Sequence, residues 1–557
     1  MSERAKQTNP SVAGIMISQT LFLILSFLLA CSDITQRAAA ATIRTPTPLM
    51  GWNSYNHYGC YPNETLIKAN AAGLLAHGLA DLGYNTVTVD CGWPAKERTP
   101  AGRLTWNATL FPSGFPALGD WLHERGLKFG LYSGGGKWEC DNVDGEAKLP
   151  ASLGKEREDA RSFADWGGDT LKYDNCWANV SEGISNYHPS ERDPSTRFRA
   201  MADALNAQNR SIVYQICQWG VGNDLGRWAA QIGDSWRISN DIVNNWQSIW
   251  RIANQVVPFW RHTGVGRYAD MDMLIVGLKA LTPAQERTHF TLWSLAKSPL
   301  VLGLPLTSTE PPPASSLAIL SNRAVLAINQ DALGQQARLA RRYDADSPAG
   351  GYDVWAGELT EGRTVAAVVN WRNASRDVVL DLSALGLHKA DAAYDVWADE
   401  EVGPLDARAQ FRLDAHDVKL LVLGGLTPAQ QNLTQKAYYA ATSASLTRGA
   451  RAVSCAPGAC LPAGSKVTDL APGADVTFEN VAGGQQLVLD YVNYDVALES
   501  AWTDGTNTRN VTVSVNGGEA RRWEVPISGG NWEEAARMRA GTSSLWAWTR
   551  GWAPRSR

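Results

Sequence analysis

Three stretches of different rhythm predict an α/β chain: a (β/α)8 TIM barrel, then an antiparallel β-sandwich, then a second β-sandwich. Over residues 42–335 short β-type runs alternate with helix-length segments. Over 336–425 alternating strands follow one another with no helix-length pattern between them. After a linker at 426–444, rich in Ala, Gln and Thr, β patterning returns over 445–557. A length of 557 residues suits three such units at roughly 100–200 residues per domain.

Residues 1–41 come before the first unit. Arg4 and Lys6 give a positive start, Leu21–Ala30 (LFLILSFLLA) is an apolar core, and Ala38–Ala41 is a small-residue stretch. This is the pattern of a secretory signal peptide cleaved near Ala39–Ala41. Extended back to Gly14 the apolar stretch reaches 17 residues, but Ser18, Gln19 and Thr20 interrupt it. A bilayer span needs about 20 apolar residues, and no later segment comes near that, so no membrane partner is expected. Beyond Cys31, the cysteines are Cys60, Cys91, Cys140, Cys176, Cys217, Cys455 and Cys460, an odd set that leaves at least one thiol unpaired in an oxidising compartment. Sequons at Asn63, Asn107, Asn179, Asn209, Asn373, Asn432 and Asn510 agree with a glycosylated, extracellular protein.

In the first unit the candidate strands are Thr86–Asp90, Lys128–Tyr132, Thr170–Tyr173, Ser211–Ile216, Trp236–Ser239 and Leu300–Leu302. Helices are expected over Leu66–Leu82, stopped by Gly83, and Glu156–Trp166, stopped by Gly167-Gly168. A doubly wound open sheet is the alternative, weakened by the lack of a G-x-G-x-x-G turn after the first strand. In the second unit Thr364–Asn370, Asp377–Leu380 and Lys419–Leu423 read as strands. In the third they are Asp475–Phe478, Gln486–Val492, Asn510–Val515 and Arg522–Pro526, and the alternation is lost from Glu533 on.

Lys plus Arg number 51 against 56 Asp plus Glu, a net charge of -5, which argues against a nucleic-acid partner. Eight His with no H-x-x-x-H, and no C-x-x-C, suggest no metal and no redox cofactor. The chain has 23 Trp, more than its 16 Tyr or 11 Phe. Flat side chains with one polar handle suit sugar recognition as well as core packing, and the core accounts for most of them.

Residues just past barrel strands are the candidates for chemistry. Asp174 follows Thr170-Leu-Lys-Tyr, with Lys172 on the same face by strand alternation. That cation would hold the carboxylate ionised, as a nucleophile requires. Asp241 follows Trp236-Arg-Ile-Ser-Asn with Arg237 near, Asp90 ends Val87-Thr-Val-Asp, and Asp270 and Asp272 lie in YADMDML. A single such Asp is ordinarily a turn residue or helix cap. Five at strand ends point instead to glycoside hydrolysis, which needs two facing carboxyl groups in different environments.

These motifs resemble glycoside hydrolase family 27, the α-galactosidases or melibiases, over about residues 43–425. They are MGWNSYNHYGC (Met50–Cys60), VDCGW (Val89–Trp93), LKYDNC (Leu171–Cys176), CQWG (Cys217–Gly220), WRISNDI (Trp236–Ile242) and DMDML (Asp270–Leu274). The resemblance implies a retaining double displacement on α-galactoside oligosaccharides and galactomannan, with Asp174 as nucleophile and Asp241 as acid/base. Retention sets the two carboxyl groups about 5–5.5 Å apart. It also implies galactose contacts at Trp52, Asp90, Lys172, Cys217, Trp219 and Arg237, although Trp52 equally suits a core place under the barrel mouth. Disulfides Cys60–Cys91, Cys140–Cys176 and Cys455–Cys460 would leave Cys217 as the free thiol.

Two departures stand out. The family's adjacent aspartates become Asp90-Cys91, and a frequent Glu becomes Gln218, so weaker or altered binding is expected. In the family, Cys and Trp at the fifth-strand loop go with a free 2-hydroxyl, so Cys217 and Trp219 favour galactose over N-acetylgalactosamine. The alternatives are an α-N-acetylgalactosaminidase or β-L-arabinopyranosidase of the same family, and, from another class, a catalytically dead sugar-binding glycoprotein. Leu489–Gly518 and Ile527–Trp532 are similar to a family 35 carbohydrate-binding module, over about residues 440–532, with its concluding strands not visible.

Overall fold

The computed structural model describes residues 43–140, 148–178, 195–220, 225–343, 351–429, 438–455, 464–481, 489, 491 and 508–526. The expected leader, Cys460 and the sequons at Asn179 and Asn432 lie outside the described residues. No helix among the described residues is long and apolar enough to cross a membrane.

Eight parallel strands make the barrel: β1 (Met50–Asn53), β2 (Thr86–Thr88), β3 (Lys128–Gly134), β4 (Thr170–Asp174), β5 (Val213–Cys217), β6 (Ser235–Arg237), β7 (Tyr268–Asp270) and β8 (Leu300–Leu302). They neighbour one another in chain order, and β8 pairs back on β1. Both faces of such a sheet are covered, and every residue of β1 and β2 is buried, polar Asn53, Thr86 and Thr88 included. The ring closes just past β7, where Leu274 bridges Leu302 and its amide donates to the Val301 carbonyl at 2.7 Å. Every other neighbouring pair is in register at two or more positions. Side chains lace this thin seam. Met271 donates its amide to Ser298 Oγ at 2.9 Å, and Trp293 Nε1 donates to the Asp272 carbonyl at 2.7 Å.

Helices α1 (Glu64–Ala76), α2 (Gly114–His123), α3 (Glu156–Asp165), α4 (Ser195–Asn206), α5 (Leu225–Ala229), α6 (Trp246–Val256) and α7 (Pro283–Leu295) fill the crossovers. Their starts follow local chemistry. Asn63 Oδ1 accepts the Leu66 amide, Asn245 Oδ1 accepts the Ser248 amide, and Thr282 with Gln285 forms a capping box beside Pro283. The helix expected over Leu66–Leu82 divides: α1 ends at Ala76, and a separate 3-10 turn covers Ala80–Leu82. Gly78 between them is left-handed at φ 66°, which ends the ladder.

Among the described residues the second unit is an antiparallel sheet of seven strands: β9 (Arg338–Tyr343), β10 (Tyr352–Leu359), β11 (Arg363–Asn370), β13 (Leu387–Asp395), β14 (Glu400–Glu401), β15 (Leu405–Asp406) and β17 (Val418–Pro428), with β17 and β11 at its centre. It faces the pair β12 (Arg376–Asp381) and β16 (Arg408–Leu413). Period-2 alternation divides its core. Val354, Ala366, Val368 and Leu421 face β12, where Val378 and Leu380 meet them. Trp355, Val365, Ala367, Val369 and Leu420 join the barrel core from the other face. Polar contacts from α7 and α6 fix the junction: Arg287 to Asp417 at 2.9 Å, Thr288 Oγ1 to the His416 carbonyl at 2.7 Å, and Arg342 to Asn254 at 2.8 Å.

Beyond β17 the described residues form three separate two-stranded ladders: Ser445–Leu446 with Val476–Thr477, Arg451–Ser454 with Ser465–Thr468, and Thr508–Val513 with Arg521–Pro526. The strand expected at Gln486–Val492 and the tail from Glu533 fall almost wholly outside the described residues.

Candidate active site

A cavity of about 530 Å³, counting its open mouth, lies where the strand ends of β2, β3, β4 and β6 converge. Asp174 closes β4, in register with Gly134 of β3 and Cys217 of β5. It is buried, and three donors hold its carboxylate. Oδ2 accepts the Tyr132 hydroxyl at 2.9 Å, while Oδ1 accepts the Trp219 indole at 2.8 Å and the Asn175 amide at 2.9 Å. Trp219 and Gly220 are both left-handed, at φ 68° and 74°, and this turns the indole toward Asp174. A Cβ on Gly220 would sit 2.1 Å from the Ile238 carbonyl oxygen, so only glycine fits there.

Asp241 stands four residues past Arg237, the last residue of β6, and its carboxyl is 46% exposed to the same cavity. Arg237, by contrast, is almost fully buried. Its Nη2 lies 2.9 Å from Asp241 Oδ1 and 2.8 Å from Asp272 Oδ2, so one nitrogen holds two carboxylates. Asp272, left-handed at φ 79°, also accepts the Ile242 amide at 2.6 Å and the Met273 amide at 2.7 Å. Across the cavity, Asp90 Oδ2 accepts Asn53 Nδ2 at 2.6 Å and Lys172 Nζ at 2.8 Å.

Burial pushes the Asp174 carboxyl above the ordinary aspartate range. Lys172 pulls it down, the Asp241 charge pushes it up, and the Asn175 amide and Tyr132 hydroxyl pull it down again. Lys172 therefore offsets the desolvation without overcoming it, because its closest partner is Asp90. Burial disfavours the ammonium, yet Asp90 and the acidic groups around it keep that amine charged well above the usual lysine range. Asp272 is pushed up to about 6 by burial, against the pull of Arg237. Burial also raises the Cys217 thiol well above its usual value, with Asp174 adding to the effect.

Asp90, Lys172, Asp174, Trp219, Arg237 and Asp241 are brought to one cavity, and Cys217 lies behind Arg237, whose Nη1 approaches Sγ at 3.6 Å. Trp52 does not line this cavity and takes the core place left open for it. It is fully buried, its Nε1 donates to the Leu304 carbonyl at 2.8 Å, and it belongs to the core beneath the mouth. The aromatic side chains lining the cavity near Lys172 are Tyr55, three residues on, and Tyr132, their rings 5.4 and 5.3 Å from Lys172 Nζ. Asn56, Tyr132 and Met273 also line the cavity and were not singled out by sequence reasoning. For Tyr132 the signal was present, since it ends an expected strand.

Cys60 pairs with Cys91 and Cys140 with Cys176, with Cα separations of 4.7 and 5.0 Å, and Cys217 is a free, buried thiol. Cys91 is thus committed to a disulfide next to Asp90. Gln218 is buried, and its backbone carbonyl accepts Asn175 Nδ2 at 3.0 Å. Cys140, Asp174 and Cys176 cluster within 4.8 Å, but both sulfurs belong to the disulfide and offer a metal no thiolate.

Residues 47–331 match the family profile described as α-galactosidase A, of the melibiase type, and residues 349–423 match the α-galactosidase C-terminal β-sandwich domain. The chain belongs to the melibiase family. Every cavity-lining residue falls inside the first match, and neither match reaches residues 440–532. The α-galactosidase D of Emericella nidulans is 38% identical over 583 residues, which is 87% of each chain. The probable α-galactosidase D of Aspergillus fumigatus is 37% identical, covering 95% of this chain and 94% of its own. Among solved structures, α-galactosidase I of Mortierella vinacea superposes with a TM-score of 0.63 at 29% identity, over 70% of this chain and 100% of its own. The Saccharomyces cerevisiae α-galactosidase with raffinose gives 0.61 at 28% identity, over 69% and 98%.

Proposed function

We propose that this protein is a secreted, retaining α-galactosidase that releases terminal non-reducing α-D-galactose from galacto-oligosaccharides and galactomannans. Asp174 attacks the anomeric carbon while Asp241 protonates the departing oxygen, which yields a β-linked galactosyl-enzyme. Asp241 then takes a proton from water as that water displaces Asp174, and α-galactose is released. The observation that carries this reading is the pairing of two carboxyl groups on one cavity in opposite settings. One is buried under three donors and the other is half-exposed beside an arginine. Lys172, Asp90 and Arg237 offer hydrogen bonds to sugar hydroxyls, and Tyr55 and Tyr132 offer aromatic faces to the C–H side of the ring. The α-galactosidase names of relatives at 37–38% identity support the same substrate class.

The test is hydrolysis of 4-nitrophenyl α-D-galactoside by the full chain, with product anomers followed by NMR. α-Galactose as the first sugar released is expected; the β-anomer as first product rules out the double displacement. Turnover of the 2-acetamido analogue or of 4-nitrophenyl β-L-arabinopyranoside in preference to the galactoside rules out galactose as the substrate. Export is tested by N-terminal sequencing of secreted protein, which is expected to begin near Ala41.

A further inference from the structure

We propose that Asp272 is a positioning residue for the acid/base step: by sharing Arg237 with Asp241, it makes the two carboxyl groups hold one proton in common and so keeps Asp241 able to donate it. This inference rests on the reading of Asp241 as the acid/base. Arg237 bound to Asp241 alone would favour the ionised carboxylate and oppose proton donation. The structure instead puts a second carboxylate on the same Nη2, at 2.8 Å against 2.9 Å for Asp241. One buried guanidinium between two carboxylates leaves a net negative charge in a cavity wall, and a proton on the pair neutralises it. Asp272 is fixed for this by the Ile242 and Met273 amides and by its own amide, which donates to Asp270 Oδ1 at 2.8 Å.

The surrounding charges fall on both sides of the balance. Asp174 and Asp270 add negative charge, Lys172 adds positive charge, and the Cys217 thiol is neutral. Arg251 of α6 is engaged by the Asp241 backbone carbonyl at 2.9 Å. The proton's path is short: it leaves the Asp241–Asp272 pair through Asp241 to the departing oxygen, and Asp241 regains it from water in the second step. Asp272 touches no reacting atom.

The experiment compares wild type, Asp272→Asn and Asp272→Glu in the pH dependence of kcat/KM. The substrates are methyl α-galactoside, which needs a proton at its departing oxygen, and 2,4-dinitrophenyl α-galactoside, which does not. For Asp272→Asn the basic limb on the methyl glycoside is expected about 1 pH unit lower, with the dinitrophenyl rate nearly kept and Asp272→Glu restoring the limb. An unmoved limb in folded Asp272→Asn overturns the proposal, as does equal loss on both substrates. If Asp272→Asn does not fold, Asp241→Asn supplies the readout without turnover. A carboxyl raised in the folded state stabilises at low pH and loses that contribution as pH rises through its folded value. Removing one member of the pair is therefore expected to flatten the fall in unfolding stability over about pH 4–6. An unchanged slope overturns the shared proton. Failure of wild type on every α-galactoside would defeat the proposed function, yet leave this unfolding measurement able to judge the proton.

Discussion

The end of β4 and the segment after β6 each present one aspartate to the same cavity, and the two settings are physical opposites. Asp174 is enclosed, with both oxygens satisfied by Tyr132, Trp219 and Asn175. Asp241 is half-exposed, with one oxygen on an arginine that a second carboxylate also claims. An enclosed carboxylate with rigid donors is held in one place for attack. An open one can exchange a proton with substrate and water. The difference between the two settings, more than the identity of either residue, is what the proposed roles rest on.

The largest expected effect breaks that comparison outright. Replacing either carboxylate and supplying azide is expected to give opposite products. Asp174→Gly loses about 10⁴-fold or more in kcat, and azide entering the vacated face gives β-galactosyl azide. Asp241→Ala still forms the galactosyl-enzyme from dinitrophenyl α-galactoside, so azide then gives α-galactosyl azide. Exchanged azide anomers would reverse the assignment, and identical ones from both variants would defeat it. Next in size, Asp241→Ala is expected to lose about 10²–10⁴-fold on methyl α-galactoside and far less on the dinitrophenyl substrate. Equal losses on the two, measured as kcat/KM, would take the acid role away from Asp241.

Smaller effects sharpen the contrast. Tyr132→Phe removes one donor from a buried carboxylate and is expected to lower kcat/KM about 10-fold. Because the Tyr132 bond pulls the Asp174 carboxyl down, the acid limb of the pH profile moves up in this variant. Removing the Asp241 charge, which pushes that carboxyl up, moves the same limb down in Asp241→Asn on the dinitrophenyl substrate. Parallel shifts would show that the two groups do not act on Asp174 as described. The smallest effect concerns stability. An enclosed carboxylate raised by burial costs folding energy, so Asp174→Asn is expected to unfold a few degrees higher at pH 7, about 1 kcal/mol. A lower thermal midpoint would mean the three donors outweigh the desolvation.

Strand-end reasoning reached Asp90, Lys172, Asp174, Arg237 and Asp241 because a barrel strand fixes which end faces the site. Trp52 came from the family resemblance, and strand-end reasoning could not decide between a sugar contact and a core place for it. All four residues of β1 are buried, so alternation says nothing about which aromatic meets the cavity, and Tyr55 lies past the strand in a single helical turn. Strand β7 has three residues, too few for a pattern, and it carries Asp270 with Asp272 just beyond. Asp272 was visible as an acid. Its hold on Arg237 was not, since that contact crosses from one strand end to the next and depends on a left-handed backbone no spacing reports.

The single bridge at Leu274–Leu302 concentrates the ring's mechanical give at one joint. Any widening of the barrel would open there first, beside Asp272, while Asp174 rides on a wall three strands away. Stress on the mouth would therefore reach Asp272 and its partner Arg237 before it reached Asp174, and loosening the Ser298 and Trp293 stitches is the gentlest way to impose it.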